Sequence, residues 1–132
     1  MALTALSGNA VADRIRVVEG DFLREEVPDG HDLLLVANVI HLFEPEVNRR
    51  LLARLRSAVA TGTRILLVDF WTDPGHTEPL FATLMAGEFL VVAGGDVYSA
   101  VEVGEWLATT GWRAVEHKTL NLPASVIVAE AL

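Results

Sequence analysis

Leu33-Leu34-Leu35-Val36-Ala37-Asn38-Val39-Ile40-His41-Leu42-Phe43-Glu44-Pro45-Glu46 is the stretch whose reading decides the fold. A continuous apolar run, bounded by His31-Asp32 before it and Glu44-Pro45 after it, reads as a strand buried on both faces, the mark of a parallel sheet. Ligands of open α/β sheets sit in the crevice beyond the carboxyl ends of the strands. Asn38, His41 and Glu44 therefore fall where chemistry is expected. Pro45 suits the first position of a helix, where its missing N–H costs nothing.

Beyond Pro45 the period changes. Val47, Leu51, Leu52, Leu55 and Val59 mark one apolar face, and Arg49, Arg50, Arg54 and Arg56 fill a solvated one. This predicts an amphipathic helix ending near Thr61-Gly62, with Gly62 as a left-handed C-cap. Residues 64–70 form a second apolar strand carrying Asp69 at its end, and Asp73-Pro74-Gly75 is a turn. Residues 78–92 read as a helix with Leu80, Phe81, Leu84, Met85 and Phe89 as its apolar stripe, ended by Gly94-Gly95-Asp96. Ser99 with Glu102 three residues on is a capping-box pattern. It predicts a helix from Ser99 to Thr110, stopped by Gly111. Two closing strands, 113–120 and 125–129, are separated by Asn121-Leu122-Pro123 and imply an antiparallel pair at a sheet edge. Upstream, residues 14–20 read as a short β-branched strand closed by the turn Gly20-Asp21-Phe22. Val27-Pro28-Asp29-Gly30 is a further turn, and residues 1–12 are compatible with a short helix or a frayed terminus. The element order predicts an α/β fold with a mostly parallel sheet and an antiparallel C-terminal strand pair.

The chain has 132 residues, enough for one domain burying about two thirds of its unfolded surface. A net charge of −8, with no basic run, argues against nucleic acid. The lack of cysteine rules out disulfides, thiolate catalysis and cysteine-ligated metals. His31, His76 and His117 share no metal-ligand spacing with one another or with an acidic cluster, so no metal is expected. No leader-like segment and no uncharged run of membrane-spanning length occurs, which predicts a cytoplasmic protein without membrane association.

Taken in order, Val18-Glu19-Gly20-Asp21-Phe22, Asn38-Val39-Ile40-His41, Gly62-Thr63-Arg64-Ile65-Leu66-Leu67-Val68-Asp69, Gly94-Gly95-Asp96-Val97-Tyr98-Ser99 and residues 108–112 resemble one family. It is the S-adenosylmethionine-dependent O-methyltransferases of plant and bacterial natural-product pathways. The resemblance covers nearly the whole chain and implies a truncated Rossmann-like sheet. It puts Asp21 and Phe22 beside the adenosine of S-adenosylmethionine, makes His41 the general base and makes Asp69 the residue that orients it. Asn38 either touches the cofactor or ties down its own backbone. A second acidic residue that some members carry after the glycine pair is replaced by Val97. The Gly-x-Gly-x-Gly loop and helical dimerisation domain that precede this region in the family have no counterpart, so the chain resembles the back half of a methyltransferase.

Moving a methyl group to a hydroxyl requires a base for its proton, and an unperturbed imidazole, with a pKa of about 6.5, suits that task near neutral pH. The alternative for His41 is a helix-start histidine satisfied by backbone groups. For Asp21 it is plain turn chemistry, and for Phe22 it is a place in the core. Two functions remain open. One is a catalytic-domain fragment methylating a small aromatic or polyketide-like hydroxyl acceptor; the other is a non-catalytic module acting in oligomerisation or partner binding. Loss of the glycine-loop strand strips a neighbour from two others. The expected outcome is a homo-oligomer through exposed sheet edges, or a collapse in which strand 14–20 pairs with the central one.

Overall fold

In the computed structural model, residues 10–120 and 123–132 are described; the expectations for residues 1–9 and for Asn121-Leu122 lie outside them. Leu33–Ala37 (β1), Arg64–Asp69 (β2), Trp112–Thr119 (β3) and Ser125–Ala131 (β4) form one sheet in the order β1-β2-β4-β3. β1 and β2 are parallel, joined through helix Pro45–Ser57 (α1). β4 runs antiparallel to both β2 and β3. Helices Leu80–Ala93 (α2) and Ala100–Thr109 (α3) fill the connection from β2 to β3. The truncated Rossmann-like α/β architecture, parallel at its start and closed by an antiparallel C-terminal pair, is thus the one the chain adopts.

The side-chain alternation of β2 and β4 decides where the core lies. Ile65 and Leu67 share a face with Ile127 and Ala129, and this face receives Leu51, Leu52 and Leu55 of α1 and Val103, Trp106 and Leu107 of α3. Trp112 donates its indole N–H to the Leu52 carbonyl at 3.0 Å, tying β3 to α1.

The outer part of the sheet departs from expectation. β1 is an edge strand, not one buried on both faces: Leu33 is half exposed and Leu35 is 64% exposed. Residues 14–20 are not a strand. They begin with a 3-10 turn, Ala12–Arg14, and continue without pairing, and the anticipated collapse onto the central strand does not occur. The reason is geometric. Val18, Leu35 and Val36 line a cleft of about 470 Å³ between the two segments, which a ladder would need to bring within about 5 Å of each other.

Two helices also differ in detail. α1 ends at Ser57, and Gly62, at φ +87°, shapes the turn into β2 and not a helix cap. Its arginines are more than a solvated face. Arg54 donates to the Glu25 carbonyl, fastening the 20–28 loop to the helix, and Arg56 reaches the carbonyls of Val59 and Leu132. α2 exposes most of its apolar stripe, including Leu80, Phe81 and Leu84; Ala82 is its buried residue.

The capping box is as the spacing predicts. The Ser99 hydroxyl accepts from the Glu102 amide, and the Glu102 carboxylate accepts from the Ser99 amide and hydroxyl at 2.8 and 2.7 Å. His76 Nε2 lies 3.1 Å from the same carboxylate. Partial burial works against the charge, but the Ser99 bonds and His76 outweigh it and hold the carboxyl below its ordinary value of 4.5. A depressed folded-state pKa gives stability that is complete above the ordinary value and lost as pH falls through the lowered one. Urea titrations across the acid range should therefore find Glu102→Gln less stable than wild type near neutrality, with the gap closing as pH drops below 4.5.

Candidate active site

The carboxyl end of β2 brings together the two residues singled out for catalysis. His41 Nδ1 lies 2.6 Å from Asp69 Oδ1, and both residues are buried, at 7% and 1% exposure. Asp69 also accepts from the main-chain amides of His41, at 3.3 Å, and Phe70, at 2.9 Å. A carboxylate already receiving two N–H groups presents only acceptor capacity to the ring. In a neutral ring the imidazole proton then sits on Nδ1, which leaves the Nε2 lone pair free. Nε2 itself has no hydrogen-bond partner among the described residues.

The turn carrying His41 is held by four hydrogen bonds from three residues. Asn48, wholly buried on α1, donates its Nδ2 to the carbonyls of Ile40 and Phe43 at 2.9 and 3.0 Å. Tyr98 donates its hydroxyl to the Phe43 carbonyl at 2.8 Å, and the Asp96 amide donates to the His41 carbonyl at 3.1 Å. Burial, aided by the charges of Asp96, Glu102 and Glu44, pushes the Tyr98 phenol up to about 12, so it stays a neutral donor. Asn48 and Tyr98 escaped the sequence reading. The one available signal was a polar residue, Asn48, inside the apolar period of α1.

The residues expected beside the cofactor lie elsewhere. Asp21 and Phe22 line the 470 Å³ cleft, with Glu19, Gly20 and Glu25 on the same wall and Leu35, Val36, Val39, Leu51 and Leu55 opposite. Asp21 performs turn chemistry, accepting the Leu23 amide at 2.9 Å through Oδ1, yet its second oxygen carries only an exposed ion pair with Arg24. Phe22 is 48% exposed and packs edge-on against Phe43, so it belongs to the rim and not to the core. Asn38 is absent from the cleft lining. Its backbone takes the left-handed conformation, φ +56°, and its amide donates to the Val68 carbonyl, ending the β1–β2 ladder. Among the described residues no cluster of three potential metal ligands occurs, and no helix is long and apolar enough to cross a membrane.

A sequence model of the O-methyltransferase domain matches residues 2–113, most of the chain. The chain belongs to the O-methyltransferase domain family. A 3-hydroxy-5-methyl-1-naphthoate 3-O-methyltransferase of Streptomyces sahachiroi is 30% identical over 126 residues, which is 92% of this chain and 36% of the relative. A family 2 O-methyltransferase from Planctomyces limnophilus, solved with apigenin, superposes with a TM-score of 0.93 at 25% identity, over 99% of this chain and 39% of that one. Human N-acetylserotonin methyltransferase, solved with S-adenosylmethionine, gives 0.81 at 25% identity, over 86% and 33%. The chain thus spans about a third of the length of the curated relatives it matches.

The approach of Gly95 to the His41 turn admits no side chain. A Cβ built on Gly95 would overlap the His41 carbonyl oxygen and lie 2.8 and 2.9 Å from the carbonyl carbons of His41 and Leu42. These are backbone atoms that cannot rotate away. Gly95→Ala is therefore expected to break the Asp96–His41 bond and cost about 1–3 kcal/mol, readable as a lowered urea midpoint together with shifted His41 ring resonances.

Proposed function

We propose that this chain is part of the catalytic domain of an S-adenosylmethionine-dependent O-methyltransferase, acting on a hydroxyl of a small aromatic or polyketide-like natural product, with His41 as general base. The observation that carries the proposal is the buried 2.6 Å contact between His41 Nδ1 and Asp69, which leaves Nε2 as the proton acceptor. Asp69 fixes the tautomer, and Asn48 and Tyr98 fix the turn. The names of the matched relatives support both the reaction class and the kind of acceptor.

The cleft suits the adenosine end of the cofactor. Its volume is within the usual range for small-molecule sites, its inner wall is apolar, and Phe22 and Asp21 stand at the rim, where a base could stack and ribose hydroxyls could donate. No described residue offers a glycine loop for the methionine end. The chemistry that S-adenosylmethionine supplies when bound is an electrophilic methyl group on sulfur; this chain's own part is to take up the acceptor proton at His41 Nε2.

The unpaired edge of β1, with Leu33 and Leu35 beside it, supports self-association, in which a second copy covers the edge. We place the protein in the cytoplasm, a reading the absence of cysteine suits. A second reading, a non-catalytic module kept for its surface, is favoured by the apolar side chains that α2 leaves exposed. Labelled methyl transfer to a panel of planar phenols separates the two, with light scattering on the same sample. Transfer by the assembled chain supports the enzyme; a folded oligomer that transfers nothing supports the module.

A further inference from the structure

The imidazole of His41 is held on its face as well as at its edge. Phe89 of α2 stacks on it with a centroid separation of 3.7 Å and an interplanar angle of 13°, and Phe70 leans on the pair, at 6.4 Å from the imidazole and 5.9 Å from Phe89. Resting on the reading of His41 as base, we propose that Phe89 is a positioning residue, fixing the imidazole plane from α2 while Asp69 fixes its edge from β2.

A ring held only through Nδ1 can still swing about that hydrogen bond, carrying the Nε2 lone pair out of line with an acceptor hydroxyl. Stacking removes this freedom, because rotation would drive the imidazole into Phe89. It has a second consequence. The electron-rich face of a phenyl ring attracts a cation within about 6 Å, so Phe89 favours the imidazolium that forms when the base accepts its proton. The charged group in contact with the ring is Asp69, from β2; Asp96, after α2, donates its amide to the His41 carbonyl, but its side chain is exposed and its carboxylate accepts the Val97 amide at 2.7 Å. Glu88, beside Phe89 on α2, is exposed. Phe89, directly, and Phe81, through Phe70, link α2 to the site and couple the placement of this helix to the base.

The test is NMR of the imidazole ring signals in the full chain, which has four histidines to assign. In wild type the His41 ring protons should show an upfield ring-current shift. Phe89→Leu should abolish that shift and broaden the His41 ring signals as the imidazole regains its swing, and Phe89→Tyr should restore both. Should Phe89→Leu not fold, Phe89→Met keeps the volume without the ring and is expected to behave as Leu. A folded Leu or Met variant whose His41 ring signals match wild type in shift and line width overturns the proposal. The readout is the ring and not turnover. Undiminished methyl transfer by His41→Ala would sink the base reading while leaving the stacking result to stand on its own.

Discussion

Replacing Trp112 with alanine is expected to cost about 3–5 kcal/mol of folding stability, a large part of the roughly 5–15 kcal/mol that holds an ordinary domain together. Trp112 is fully buried at the start of β3, opposite Ala131 of β4, in the same cluster as Leu52 and Leu107. Its removal opens a cavity beneath two helices and deletes the indole bond to the Leu52 carbonyl. Urea unfolding measures the loss. Trp112→Phe separates the two contributions, since it keeps much of the packing and gives up the hydrogen bond, worth about 1 kcal/mol. Wild-type stability in the alanine variant would mean that β3 is not anchored through this side chain.

His41→Ala is expected to lower the rate of methyl transfer by about 10²–10⁴-fold, the range a positioned general base contributes, with little change in cofactor affinity because His41 is not among the residues lining the cleft. Asp69→Asn should come close to the same loss with the ring still present. An amide can donate to Nδ1, which would move the imidazole proton to Nε2 and remove the acceptor from the position facing the substrate. Initial rates at saturating acceptor, with light scattering to hold the assembly state fixed, give both numbers. A rate within threefold of wild type for both variants would assign the deprotonation to another group.

How much of this was legible in the sequence depended on whether a signal was local. The Ser99–Glu102 cap, the Gly111 stop, the Gly94 turn and the closing strand pair follow from short-range backbone chemistry and appear as read. The pairing of His41 with Asp69 was legible through the family resemblance, which implied it, and the parallel pairing of β1 with β2 brings the turn after β1 beside the end of β2. The errors share one cause. Residues 14–20, the buried character of Leu33 and Leu35, and the apolar stripe of α2 all carry side chains suited to partners that the described residues do not supply. Hydrophobic pattern records the environment for which a segment is suited, and an edge strand keeps the composition of a central one. Asn48 was missed because its donor groups serve carbonyls five and eight residues back, a contact that periodicity does not encode.

Calorimetric titration of the folded 132-residue chain with S-adenosylmethionine, its demethylated product and adenosine tests the central claim most directly. If the cleft holds the adenosine end, all three ligands should bind, with affinities within about tenfold of one another because the methionine end is not gripped, and Phe22→Ala should abolish the heat. No heat from any of them at millimolar concentration, in a protein that light scattering and circular dichroism find folded, would contradict the assignment of the cleft. The methyltransferase character of the chain would then describe its ancestry and not its chemistry.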